Sequence, residues 1–460
     1  MAAERAARLR KNLGLIEAVA LSLAIVAPTM AMAFNVTLAV GAAGAAAPLA
    51  FAIGTAALAI VALSFVAFGR RVAHAGSAYA YITLEFGPRA GFLAGWALLL
   101  TYLAYGTGTA VLVGNFVDAA LADYGIAING LWLAAGAAAV LLATALAHRD
   151  MRRAARLMLA LEAVSMLAIL ALGIRVLAAL APAGGLSLAP FAPDKGFGWS
   201  GIGYALVFAV LSFAGFEGAA TLGEETDRPR RAIPVAVFGA VVLAGVFYVF
   251  ASYVQVVGFG LDRVAALARD SAPLNTLALA FGSRGFAALL DIAAALSAFS
   301  CALGSLSAAA RLLFALGRAG LAPRLGAVHA VHGTPAAAVA VAGGLMLAGI
   351  VLWGARAGAA AYYGAAGTIG TLALILVYIG VTAAGTAAAV RARQGARASL
   401  GAAGALLLMW PLYNTLYPVP AYPADLWPYA VLIYLVLGAA LLALRPQSGR
   451  LALEEDPPAP

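Results

Sequence analysis

The sequence predicts an all-α integral membrane protein of about twelve transmembrane helices, and three observations predict it. Of the 460 residues, 64% are hydrophobic and 10% charged, where a soluble domain would carry about 25% charged residues. Apolar stretches of about 20 residues, long enough to cross a bilayer as helices, follow one another along the chain, and the mean hydropathy is +0.98. The basic residues fall almost entirely in alternate connections, the pattern left by retention of positive charge on the cytoplasmic side.

Taken in order, the spans read at about 14–34, 45–68, 92–121, 130–147, 157–181, 200–221, 232–257, 286–310, 335–353, 361–388, 399–416 and 426–444. The first is too long for a signal peptide and reads as span one. With the N-terminus inside, all 28 Lys and Arg except Arg175, Lys195, Arg263, Arg269, Arg284 and Arg356 lie on the cytoplasmic side. Both termini are therefore expected in the cytoplasm and the protein in the cell (inner) membrane. The formal charge of +9 is a topology signal and does not point to nucleic acid. Residues 1–11 form a basic tail, 12–390 hold spans one to ten, 391–445 hold spans eleven and twelve, and 446–460 are acidic, proline-rich and expected to be disordered. Spans eleven and twelve carry no chemistry-bearing pattern, and the outer loop between them, YPVPAYPADLWP, reads as interfacial anchoring.

Two spans are interrupted. The first breaks at Ala27-Pro28-Thr29 and the sixth at Phe213-Ala214-Gly215-Phe216. Each begins a set of five spans, and an odd number per set inserts the second set upside down relative to the first. This is a 5+5 inverted-repeat core with two discontinuous helices plus two extra helices, and the two breaks are expected to meet near the bilayer midplane.

The residues at the breaks carry the candidate chemistry. Pro28 lacks an N–H and clashes with the preceding turn. The half-helix beginning at Thr29, Met30 and Ala31 then presents free N–H groups that suit a carboxylate. The carbonyl ends near Ile25-Val26 and Phe213-Ala214 suit an ammonium. Together they would read a zwitterion. A proline kink alone is common in membrane helices, so the reading rests on its pairing with span six. Glu217 stands just past the second break, where burial of an acid costs at least ~2.5 kcal/mol on insertion scales. It is a candidate either to organise the break through hydrogen bonds or to titrate. Glu224 and Glu225 sit near Arg228, Arg230 and Arg231, as a solvated gate or loop anchor. Glu162 in span five lies about 9 Å deeper than Arg156 at 1.5 Å per residue, and is the sharper candidate to carry a coupling proton. The alternative is a carboxyl paired with an arginine near the cytoplasmic face.

Span eight aligns Ser297 and Ser300 one turn apart, as candidate ion or substrate ligands or as small packing residues. Asp291, near its outer end, is expected to be solvated. Tyr102 and Tyr105 in span three, and Tyr362 and Tyr363 opening span ten, are candidates to line or lid a cavity. Cys301 is the only cysteine, which leaves no disulfide and no cysteine-based metal site. The four histidines fall in cytoplasmic loops, so no metal and no cofactor is expected beyond a proton or Na+ as coupling ion.

Three blocks carry a family resemblance: Ala75 to Trp96, Ser212 to Pro234 and Ser305 to Pro335. On them the chain resembles the bacterial amino acid permeases of the amino acid–polyamine–organocation (APC) superfamily, over about residues 12–445. The resemblance implies alternating access and transport of an α-amino acid driven by protons, by sodium or by exchange. It implies that Pro28, Thr29 and Met30 occupy a Gly-Ser/Ala-Gly run that receives the substrate carboxylate. Proline and methionine are departures there. It also implies that Phe213, Ala214 and Gly215 form the unwound segment of span six. Glu162 falls close to a span-five lysine of some proton-coupled members, and an acid there is a third departure.

The expected function is secondary active, proton-coupled uptake of a neutral amino acid, with an amino acid/polyamine exchanger or a sodium symporter as alternatives. An intramembrane enzyme would call for a metal or nucleophile motif at membrane depth, and the sequence has no HExxH. A non-transporting ligand sensor would suit a large attached soluble domain.

Overall fold

The computed structural model describes residues 14–72, 76–148, 151–222, 225–329 and 333–444. The basic leader 1–11, His74, Glu224, His332 and the tail 446–460 lie outside the described residues. The described chain is helices joined by turns. We number them α1 Leu15–Val26, α2 Pro28–Ala43, α3 Ala47–Gly69, α4 Ala78–Phe86, α5 Pro88–Ala122, α6 Leu131–Ala147, α7 Met151–Leu180, α8 Gly198–Phe213, α9 Pro229–Phe259, α10 Pro273–Phe281, α11 Arg284–Arg318, α12 Ala336–Gly349, α13 Ala359–Arg391, α14 Gly395–Asn414 and α15 Trp427–Leu444.

Among the described residues, nine helical runs are long and apolar enough to cross a membrane, and the shorter Leu131–Ala147 is also apolar. The longest run, Leu15–Gly69, holds three of the helices. It is broken at Ala27, which takes a left-handed conformation, and again by a 3-10 turn at Gly44–Ala46. Prolines mark helix starts where the sequence places them: Pro28, Pro88, Pro229 and Pro273 each open a helix, a position whose N–H has no intrahelical partner. Ser283 caps α11 by accepting from the Phe286 N–H at 3.2 Å.

Helix α5 packs along both α11 and α13, α3 packs on α9, and α2 on α8. α1 touches α7, α9, α11 and the 3-10 segment Phe216–Leu222 that continues α8. The broken elements thus lie inside, walled by long helices. α14 and α15 are peripheral, and Leu406, Tyr429 and Ile433 are exposed on them, as suits a surface that faces lipid.

Three expectations change. The segment between spans two and three, which the span reading leaves as a connection, forms α4, because Tyr79 and Tyr81 bury completely and Tyr81 stacks on Phe68 at 5.3 Å. The outer connection before α11 contains α10, whose Asn275 amide donates to Asp291 at 2.6 Å and to Asp123 at 2.8 Å. Asp291 is consequently buried, and the expectation that it is solvated was wrong. Glu225 pairs with Arg311 on α11 (Nε to Oε1 2.6 Å, Nη2 to Oε2 3.1 Å) and, among the described residues, not with Arg228, Arg230 or Arg231.

Candidate functional site

The two breaks touch. Ala27 closes α1 with φ 44° and ψ 64°, its N–H donating to Leu23 O, and Pro28 begins α2 immediately. α8 stops at Phe213, Ala214 is extended (ψ 133°), and Gly215 takes φ +96° before the 3-10 turns of Phe216–Leu222. Only glycine tolerates that φ without strain. Space demands it too: a Cβ on Gly215 would lie 1.9 Å from Ile25 Cγ2 and 3.2 Å from the Ile25 carbonyl carbon. The Ser22 hydroxyl ties the same faces together, donating to Phe216 O at 2.8 Å and accepting from the Ala219 N–H at 3.3 Å.

The start of α2 is already occupied. Pro28 offers no N–H, so the first free donors are those of Thr29 and Met30. Thr29 N–H donates to Glu162 Oε1 at 2.7 Å, and Met30 N–H donates to the Ser297 hydroxyl at 3.1 Å. Glu162 is buried (3% exposed), and among the described residues no cationic side chain pairs with it. Its carboxyl therefore takes the position that the amide donors and positive dipole end of α2 prepare for an anion. The Thr29 hydroxyl beside it is buried without a hydrogen-bond partner among the described residues. Ala31 N–H returns to Ala27 O at 2.9 Å and closes the first turn.

Glu217 is fully buried and triply held. Tyr102 donates to Oε1 at 2.9 Å, Tyr378 to Oε2 at 2.6 Å, and the Gly215 N–H to Oε2 at 3.2 Å. Phe216 lies against the Tyr378 ring at 5.2 Å between centroids. The geometry is that of a carboxyl bracing the non-helical turn.

Three carbonyls at the breaks accept side-chain donors. Cys301 donates its thiol to Ile25 O at 2.9 Å, Tyr105 its hydroxyl to Leu211 O at 3.0 Å, and Tyr248 to Ser212 O at 2.6 Å. A buried carbonyl left bare away from water would cost several kcal/mol, so these caps are what let the two helices stop mid-span. Tyr363 donates to Asn35 Oδ1 at 2.7 Å, and Asn35 donates onward to the Ser212 hydroxyl at 2.8 Å, linking α13, α2 and α8. The Gln255 amide on α9 reaches Met32 O at 2.9 Å.

Of the residues singled out from sequence, Ala27, Pro28, Thr29, Met30, Ala31, Phe213, Ala214, Gly215, Phe216, Glu162, Glu217, Tyr102, Tyr105 and Ser297 come together in this buried knot. Ser300 lies nearly one turn further along α11, also buried, and makes no hydrogen bond to the breaks among the described residues. Tyr362 turns elsewhere, its hydroxyl 2.9 Å from that of Thr107. The capping roles of Ser22, Tyr248, Cys301 and Tyr378 were not anticipated. Their partners are a backbone carbonyl or a carboxylate distant in sequence, which leave no local pattern.

The model of a protein family described as amino acid permease matches residues 17–417. The human cationic amino acid transporter 4 is 30% identical over 245 residues, covering 49% of this chain and 38% of that protein. The low-affinity putrescine importer PlaP of Escherichia coli is 30% identical over 254 residues, 53% of each. The branched-chain amino acid permease BcaP of Lactococcus lactis is 27% identical over 234 residues, 46% of this chain and 48% of that one. The chain thus spans about half the length, or less, of these curated relatives.

Proposed function

The chain belongs to the amino acid permease family of the APC superfamily, and on that premise we propose that it is a secondary active permease taking up a neutral amino acid with a proton. In this reading about twelve spans cross the cell membrane with both termini inside, and spans one to ten form the inverted-repeat core that alternates between two sides.

The observation that carries the proposal is the seat of Glu162 on the Thr29 N–H, beside Ser297 on that of Met30. A substrate carboxylate entering the start of α2 needs the same donors. Glu162 and substrate therefore compete for one site. A proton taken up by Glu162 removes its charge and weakens its hold on the amide, which frees the donors for substrate. Release of substrate on the other side leaves the helix end bare, and Glu162 returns to it as its proton departs. Low external pH favours loading, and the higher internal pH favours discharge. The ammonium is met by the carbonyls of Ile25, Leu211 and Ser212 as Cys301, Tyr105 or Tyr248 gives way.

The side chain of the substrate is read as neutral because Glu217, the buried acid at the second break, already accepts from three donors. The same seat of Glu162 favours one second reading. If its carboxyl never leaves α2, the site complements an amine without a carboxylate, the substrate class named for PlaP.

Uptake into proteoliposomes, with pH and sodium gradients imposed separately, tests these readings. Accumulation of a neutral amino acid under an inward proton gradient, indifferent to sodium, supports the first. Uptake of putrescine and no amino acid replaces it with the second. Sodium-driven uptake, or binding without flux, removes proton coupling.

A further inference from the structure

Away from the breaks, a cleft of about 460 Å³ lies between α3, α13 and α14. Its walls change character along the helices. Along α3 and just past its end the lining runs from Ile60 and Leu63 to Arg70 and Arg71, about 15 Å along the axis. On α14 it runs from Leu400 back to Arg397 and Gln394. The polar ends coincide: α3 stops at Gly69, α13 stops at Arg391 and α14 starts at Gly395. The cleft is thus apolar within the membrane-spanning helices and basic at their loop ends, on the side where the positive charge of the whole sequence collects.

The basic end is short of counter-charge. Glu85 lies 3.7 Å from Arg71 as an ion pair and also pairs with Arg391. Among the described residues, neither Arg70 nor Arg397 has a carboxylate partner, and Arg397 donates to the Gln394 side-chain oxygen at 2.7 Å. All four arginines are exposed. A ligand that satisfies both ends must join an anionic head to a hydrocarbon tail.

We propose that this cleft is a binding site for an anionic phospholipid of the cytoplasmic leaflet. Arg70, Arg71 and Arg397 hold the phosphodiester, and an acyl chain lies along Leu63 and Leu400. Guanidinium forks match phosphate oxygens in paired hydrogen bonds, and a basic pocket between spans on the cytoplasmic side suits such headgroups. A phosphatidylcholine head has the same phosphodiester, but its quaternary ammonium cancels the charge that this end lacks. The bound lipid bridges α14 to α3, so the peripheral helix is tied to the helix that follows the broken pair α1 and α2.

The test uses the purified full chain in nanodiscs of phosphatidylcholine with and without phosphatidylglycerol, with lipid retention read by native mass spectrometry. The expected result is selective retention of phosphatidylglycerol. Its affinity should drop about fivefold for each arginine removed, hence about 25-fold in Arg70→Gln/Arg397→Gln, with no change for phosphatidylcholine. Ala67→Phe keeps every charge and fills the cleft, and it should displace phosphatidylglycerol as well; both proteins must remain monodisperse on size exclusion. Equal retention of the two lipids, or undiminished phosphatidylglycerol in both variants, would overturn the proposal. Competition by inorganic phosphate as effective as by short-chain phosphatidylglycerol would overturn it too, because the occupant would then be a small anion.

Discussion

Glu162 and Glu217 are both buried acids at the breaks, and their surroundings give them different work. Glu217 receives three hydrogen bonds, from Tyr102, Tyr378 and the Gly215 amide, so its lone pairs are committed to bracing the turn. Removing one donor in Tyr378→Phe should cost about 1.5–3 kcal/mol, the range for a hydrogen bond to a charged group, read as a lower melting temperature in detergent; an unchanged melt would show that the brace is dispensable. Gly215 is required by conformation and by the contact with Ile25. Gly215→Leu should therefore abolish substrate binding, and wild-type affinity in that variant would remove the second break from the site. The sequence displays these positions unevenly. A glycine between two aromatics with an acid after it is a visible signal, and the depth of Glu162 follows from helical rise. Its partner does not, because Thr29 is 133 residues away and no local pattern connects them.

At the scale of elements, each break is a helix stopped in mid-span by one unusual backbone conformation and held by side chains from neighbouring helices. At the first break that conformation falls on an alanine, Ala27 at φ 44°. A residue with a Cβ in the left-handed region costs about 1–2 kcal/mol. Ala27→Gly should stabilise the fold by an amount near the low end of that range, since glycine also loses more chain entropy, read as a higher melting temperature; a lower one would mean that the Ala27 methyl matters more than the strain. Pro28 announces this break in the sequence, whereas alanine gives no sign of the left-handed turn. At the far end of α11, Arg311 forks onto Glu225, with side-chain exposures of 9% and 15%. Glu225→Gln leaves a nearly buried guanidinium without its anion and should destabilise the fold by about 3–5 kcal/mol, measurable by thermal melting; a melt within a degree of wild type would show that the pair is weakly coupled to folding. Hydropathy located the elements because lipid-facing and core residues are equally apolar. For the same reason it missed α10, a nine-residue helix whose role is to cover Asp291 and not to cross the membrane.

On the scale of the whole molecule, long helices wall a buried knot in which the Thr29 and Met30 amides and the Ile25, Leu211 and Ser212 carbonyls are each met by a side chain. This arrangement suits a closed state of a carrier: the groups proposed to read an amino acid are present, and internal stand-ins occupy them. Family membership and the helical build were legible from charge placement, apolar length and three sequence blocks. The occupancy of the α2 terminus was not, because it depends on how α7 and α11 pack beside α2. In the proposed cycle Glu162 holds the place of the substrate carboxylate and gives it up with a proton. The most direct measurement is transport by Glu162→Gln in proteoliposomes, as counterflow at equal pH and as accumulation under an inward proton gradient. Counterflow should persist while gradient-driven accumulation disappears. Accumulation that keeps its full response to the pH gradient would contradict it.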